Sequence, residues 1–177
     1  MKLVTKAVAI FDRTLDVSVI LASALLAFTL LSICAEVVLR YFFGSPLSWV
    51  VEISEMNLLY ITFLAAAWVL RRKGHVKIDL LLNRLKPRTQ ALLGIIISII
   101  GAIVFMFLIW YGAQVTWDNF LRGTYRSTVL EIPNAAVLFI IPLGSFLLFI
   151  QFLRDGYGYL SSWRTSGGKE QRSEMNP

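Results

Sequence analysis

Long apolar blocks alternate with short charged segments along this chain. Val17 to Ala35 carries no charge and continues through Glu36 to Arg40. Val50 to Leu70 is apolar apart from Glu52 and Glu55 near its start. Ala91 to Trp117 and Ile132 to Leu153 contain no charged residue, the latter with Pro133 in its first turn and Pro142 inside it. A helix rises ~1.5 Å per residue, so ~20 residues cross a hydrocarbon core of ~30 Å. Each block meets that length. A β reading fails, because no period-2 alternation is sustained and a lone strand leaves its backbone unsatisfied in lipid. The pattern predicts an all-α membrane protein with four transmembrane helices, at about residues 17–39, 50–70, 91–111 and 132–153.

Between the second and third spans the period changes. Ile78, Leu81, Leu82 and Leu85 stand at i, i+3, i+4 and i+7, with Lys77, Asp79, Asn83, Arg84 and Lys86 on the other side and Pro87 closing the pattern. Residues 75–86 therefore read as an amphipathic helix lying in the membrane interface, its basic residues meeting anionic lipid headgroups. Residues 161–177 are largely polar and read as a disordered tail beyond a membrane domain of residues 1–160.

Composition agrees. Hydrophobic residues make up 57% of the 177 and charged residues 16%, against about 25% charged in an ordinary globular chain. Mean hydropathy is +0.70. A soluble domain of this size would leave much bare apolar surface in water. The first block is too long, and lies too deep behind residues 1–16, for a removed signal. Leu31-Ser32-Ile33-Cys34 is a poor lipoprotein box, since Ile33 is bulky where a small residue is needed; Cys34 is better read as packed inside the first helix.

The net charge of +6 acquires a direction when its residues are placed. Lys2, Lys6 and Arg13 precede the first span. Arg71, Arg72, Lys73, Lys77, Arg84, Lys86 and Arg88 lie between the second and third, and Arg154, Arg164, Lys169 and Arg172 follow the fourth. These are fourteen of the 17 basic residues, and only Arg40, Arg122 and Arg126 fall on the other side. The positive-inside rule puts both termini in the cytoplasm. Tyr41, Phe42, Phe43, Trp49, Trp110, Tyr111 and Trp117 then mark the outer headgroup level, and Tyr157, Tyr159 and Trp163 the inner one. No basic stripe interleaved with stacking aromatics points to nucleic acid.

Ionisable groups at the spans are the places to look for chemistry. Glu36 and Arg40, spaced i, i+4 with the acid first, form an intramembrane ion-pair candidate; Glu36 is either a proton relay or a structural partner. Trp49, Glu52 and Glu55 lie a turn apart at the start of the second helix, where carboxylates suit the helix dipole and are equally placed to contact a partner or bind a cation. His75 and Asp79 are also i, i+4. One histidine and one cysteine exclude bis-histidine haem ligation and the usual zinc cages. No nucleotide loop or nucleophile motif occurs, so no catalytic residue, cofactor or metal site is expected and the chain does not read as an enzyme. Nor does it show an inverted repeat or a matched pair of broken spans, the usual cues for a solute site.

Arg40-Tyr41-Phe42-Phe43-Gly44-Ser45-Pro46-Leu47-Ser48-Trp49-Val50-Val51-Glu52, then Phe63-Leu64-Ala65-Ala66-Ala67 and Arg71-Arg72-Lys73-Gly74-His75-Val76-Lys77-Ile78-Asp79, resembles a known family. It is similar to the small membrane subunit, the DctQ type, of tripartite ATP-independent periplasmic (TRAP) transporters. Leu130-Glu131-Ile132-Pro133 and Ile141-Pro142-Leu143-Gly144 resemble the entry to that family's fourth helix, and the likeness covers roughly residues 10 to 160. Two places depart from the pattern: Ala65 or Ala66 replaces a frequent glycine, and Asn134-Ala135-Ala136 replaces an aromatic after the helix-entry proline. The resemblance implies a scaffold subunit of the bacterial or archaeal inner membrane, paired with a large membrane subunit that holds the solute and sodium sites. A periplasmic solute-binding protein would deliver an organic acid to that pair. By the same resemblance, Arg40, Gly44, Trp49 and Glu52, with Arg71, Arg72, His75 and Asp79, are expected to serve folding and subunit contact. A self-sufficient proton-coupled exporter using Glu36 is the competing reading, and an assembly protein unrelated to transport is a third.

Overall fold

The computed structural model describes residues 2–45, 47–72, 87–126 and 130–174. The expected interfacial helix at 75–86 lies outside these described residues, as do His75 and Asp79. The described chain is helical: α1 (Lys2–Phe43), α2 (Ser48–Arg71), α3 (Pro87–Arg122), α4 (Asn134–Leu138) and α5 (Ile140–Glu174). Among the described residues, four segments are long and apolar enough to cross a membrane: Val8–Phe43, Ser48–Arg71, Thr89–Arg122 and Asn134–Ser161.

Three helices outrun the bilayer. α1 has 42 residues, α3 has 36 and α5 has 35, so they are about 63, 54 and 52 Å long against a core of about 30 Å. Hydropathy finds only the stretch that sits in hydrocarbon. Residues 2–16 hold neither glycine nor proline, so nothing stops the helix where the charges begin. α5 runs helical to Glu174, across Gly167 and Gly168 and into the stretch whose composition reads as a disordered tail; Lys169, Glu170, Gln171 and Arg172 beyond the glycines all favour helix.

Chain ends and breaks have local causes. α1 stops at Gly44, whose φ of +64° is left-handed, and Ser45 N–H turns back to Leu39 O at 3.4 Å. α3 opens on Pro87, which is well suited to a first helical position, and stops at Gly123 with φ +56°. The break between α4 and α5 at Phe139 follows from Pro142. That residue has no N–H to offer the Leu138 carbonyl four residues back, and its ring crowds that oxygen.

The helices pack α1 on α2, α2 on α5 and α5 on α3. Leu15, Ala67 and Leu148 form one buried cluster and Ala22, Leu64 and Ile140 another, so α1, α2 and α5 share the core. Serine and threonine hydroxyls in the spans mostly bond to their own helix four residues back, as Ser18 does to Thr14 O (2.9 Å) and Ser54 to Val50 O (2.7 Å). Asn57 instead reaches across from α2 to the Thr29 hydroxyl of α1 at 3.1 Å.

α3 joins by notches rather than by branched side chains. A Cβ built on Gly94 would sit 2.7 Å from the Tyr159 ring, and one on Gly101 2.5 Å from the Phe152 ring. Gly156 returns the fit, resting against Ser98. Such small-residue contacts let helices approach closely where lipid removes the hydrophobic drive to associate. Large apolar side chains such as Leu26, Leu30, Ile99 and Ile103 stay exposed on α1 and α3 and face lipid or a partner.

Candidate functional site

Charged side chains gather at two ends of the helix row. At the end carrying the chain termini, Arg71 from the last turn of α2 reaches into α1. Its Nη1 donates to the Asp12 carbonyl at 2.9 Å and lies 3.4 Å from the Asp12 carboxylate, and its Nη2 donates to Asp16 Oδ1 at 2.6 Å. Arg154 from α5 donates to both Asp12 oxygens, and the Trp68 indole N–H meets Asp16 at 3.2 Å. Two aspartates of α1, one turn apart, thus hold an arginine from each of two other helices. The planar guanidinium suits this, because it offers several donors in fixed directions to more than one acceptor. The buried Gln151 donates to Asp155 at 3.0 Å, continuing the polar stripe of α5 inward. Arg72 lies over the Trp68 ring, 5.1 Å from its centroid.

At the opposite end, Arg40 Nε is 3.6 Å from Glu36 Oε1 and its guanidinium sits 5.5 Å from the centre of the Tyr41 ring. Glu36 is largely buried, and Arg40 is half-exposed. Gly44 makes the turn into α2 with open space around it. Trp49 is partly exposed at the start of α2. Glu52 accepts the Leu130 backbone N–H at 3.2 Å, and Glu55 pairs with Arg126 at 3.4 Å. Both carboxylates therefore tie α2 to the loop between α3 and α4. That loop folds on itself: Arg126 N–H donates to Ile132 O at 3.1 Å and Asn134 N–H to Thr124 O at 3.1 Å.

The structure thus brings together the motif residues of one end, Glu36 with Arg40 and Glu52 with the α3–α4 loop, and separates them from Arg71 and Arg72 at the other. Sequence reasoning missed Asp12 and Asp16, and used Arg154 and Arg126 only for counting charge. One signal was available: two acids spaced i, i+4 in a segment otherwise basic. Their partners are 55 and 142 residues away, beyond any spacing rule. Among the described residues no three His, Cys, Asp or Glu side chains cluster as metal ligands would.

Residues 29–159 match the profile of the family described as "Tripartite ATP-independent periplasmic transporters, DctQ component". A Haemophilus influenzae protein described as a TRAP transporter small permease is 30% identical over 74% of this chain and 88% of its own length. The ectoine TRAP transporter small permease protein TeaB of Halomonas elongata is 25% identical over 80% of this chain and 76% of its own. The C4-dicarboxylate TRAP transporter small permease protein DctQ of Rhodobacter capsulatus is 32% identical over 66% of this chain and 51% of its own. The chain therefore belongs to the DctQ component family of TRAP transporters and, with four candidate membrane spans among its described residues, is a multi-pass inner-membrane protein of the small-permease type.

Proposed function

We propose that this small permease subunit is a non-catalytic scaffold of a sodium-coupled importer of organic acids. It pairs with a large membrane subunit that carries the solute and ion sites, and a periplasmic binding protein supplies the solute. One observation supports the reading beyond family membership: several ionic groups at the ends of the spans are spent on each other. Glu36 with Arg40, the two aspartates of α1 with Arg71 and Arg154, and Glu55 with Arg126 join residues of the same chain. Charges that line a solute path are instead expected to face a cavity. The relatives are named for two solutes, ectoine and C4-dicarboxylate, in keeping with solute choice resting on other subunits. The basic-residue count places the terminal aspartate–arginine cluster on the cytoplasmic side.

Proteoliposomes holding this chain alone are expected to take up no organic acid under a sodium gradient, and those holding both membrane subunits with the binding protein to accumulate it. Uptake by the lone chain would end the scaffold reading. The exporter reading predicts efflux by the lone chain that Glu36→Gln abolishes, so the same vesicles discriminate the two.

Trp49 and Glu52 are the residues of choice for partner contact at the end opposite the termini. Trp49→Ala and Glu52→Ala are each expected to lower recovery of the large subunit several-fold in a detergent pull-down. Full recovery with full uptake would leave both residues as local structure only, Glu52 holding Leu130 and Trp49 resting at the headgroup level.

A further inference from the structure

Arginines at the ends of the spans divide into two groups. Arg40, Arg71, Arg126 and Arg154 each face a carboxylate. Arg13, Arg72 and Arg122 are exposed and have no acidic partner among the described residues. Arg13 and Arg72 stand at the same end of the α1–α2 pair, and we infer that together they bind the phosphate of an anionic phospholipid headgroup.

Level is the first argument. Asp16 and Glu36 stand about 30 Å apart along α1, and Glu52 and Arg71 about 29 Å apart along α2, each close to the ~30 Å of a hydrocarbon core. Asp16 and Arg71 pair at 2.6 Å, so both helices put this edge at the same height. Arg72 follows Arg71 directly and Arg13 lies one turn outside Asp16, where the headgroups begin. The aromatic marks agree, since Arg154 is tied to Asp12 and Tyr157 follows it one turn outward.

Preorganisation is the second. The Trp68 indole donates to Asp16 at 3.2 Å, and its ring packs on the buried cluster of Leu15, Ala67 and Leu148. Arg72 rests on that fixed ring, its guanidinium carbon 5.1 Å from the centre. Stacking uses the flat face of the guanidinium and leaves its N–H edge for two phosphate oxygens. Arg13 precedes Asp16 at i, i+3, one turn from the carboxylate that Trp68 meets. Charge is the third. Asp12 and Asp16 would repel a phosphate, but Arg71 and Arg154 offset them one for one. Arg13 and Arg72 therefore leave this flank positive. One turn toward the membrane centre, Val17 follows Arg13 and Ile20 follows Asp16, 58 and 68% exposed, and offer apolar ground to the lipid tails.

The test uses the full-length chain, alone and co-purified with its large membrane partner. Each is titrated in detergent with phosphatidylglycerol or with phosphatidylethanolamine, and the affinity for the first lipid bound is read by native mass spectrometry. Phosphatidylglycerol is expected to bind several-fold more tightly. Arg72→Gln and Arg13→Gln are each expected to weaken it several-fold and to leave phosphatidylethanolamine as before. Arg122→Gln, which removes the unpaired arginine of the opposite end, is expected to change neither. Inorganic phosphate is expected not to compete, because it has no tails to rest on Val17 and Ile20. Equal affinity for the two lipids, phosphatidylglycerol binding that survives both substitutions, an equal loss in Arg122→Gln, or displacement by inorganic phosphate overturns the proposal. So does loss of the phosphatidylglycerol preference in the complex, which would make the occupant an acidic side chain of the partner.

Discussion

Gly144→Val is expected to undo the docking of α2 on α5 and to lower the thermal unfolding midpoint in detergent more than any surface change. Gly144 is buried, and a Cβ there would lie 2.5 Å from Phe63 Cβ. That neighbour is fixed to the α2 backbone and cannot swing aside as a ring edge can. The two helices must separate, and the cluster of Ala22, Leu64 and Ile140 opens with them. Overpacking costs about 1–3 kcal/mol, and a contact between two anchored atoms belongs at the upper end, about 3 kcal/mol. Gly158→Ala is the control, because a Cβ there meets nothing within 4 Å. It is expected to stabilise by up to about 1 kcal/mol through helix propensity. Gly101→Val should fall between, since the atoms it meets are the far edge of the Phe152 ring. If Gly144→Val and Gly158→Ala unfold together, the close approach of α2 and α5 is not what holds the row.

Arg71→Met is expected to cost about 1–2 kcal/mol and to free the start of α1. The side chain of Arg71 is 19% exposed and spans Asp12 and Asp16, so its loss strands charge in a partly enclosed place. Asp16 is 51% exposed, and water screens it, which keeps the cost below the ~3–5 kcal/mol of breaking a fully buried pair. Arg71→Lys should recover only part, because one ammonium cannot present the fork that serves both aspartates. A double-mutant cycle of Arg71→Met with Asp16→Asn, read by unfolding in detergent, is expected to give a coupling near 1 kcal/mol. Strict additivity would mean that the contact contributes nothing to the α1–α2 pairing.

Both predictions concern features that reading the chain alone does not reach. Gly144 stands within the motif that resembles the family, yet only packing reveals that Phe63 is what it must admit. Arg71 was singled out by resemblance, but its partners at Asp12 and Asp16 come from a helix whose start was expected at residue 17. Glu36 and Arg40 are different. Their proximity follows from helical spacing alone, and the structure places them 3.6 Å apart. The ties of Glu52 and Glu55 to the α3–α4 loop again depend on which helix stands beside which.

The sequence by itself determined that this chain lives in a membrane, that it carries four helices fit to cross it, and to which family it belongs. Those properties are local: a run of apolar residues long enough for hydrocarbon, and short motifs in a set order. Even the break before α5 is local, since Pro142 carries its own reason. Tertiary structure alone decided the order α1, α2, α5, α3, the glycine notches that set the closest approaches, and the clamp of two aspartates on two arginines. In lipid, apolar side chains gain little by choosing one another over the bilayer. Shape and a few charges make that choice, and both act between residues far apart in the chain.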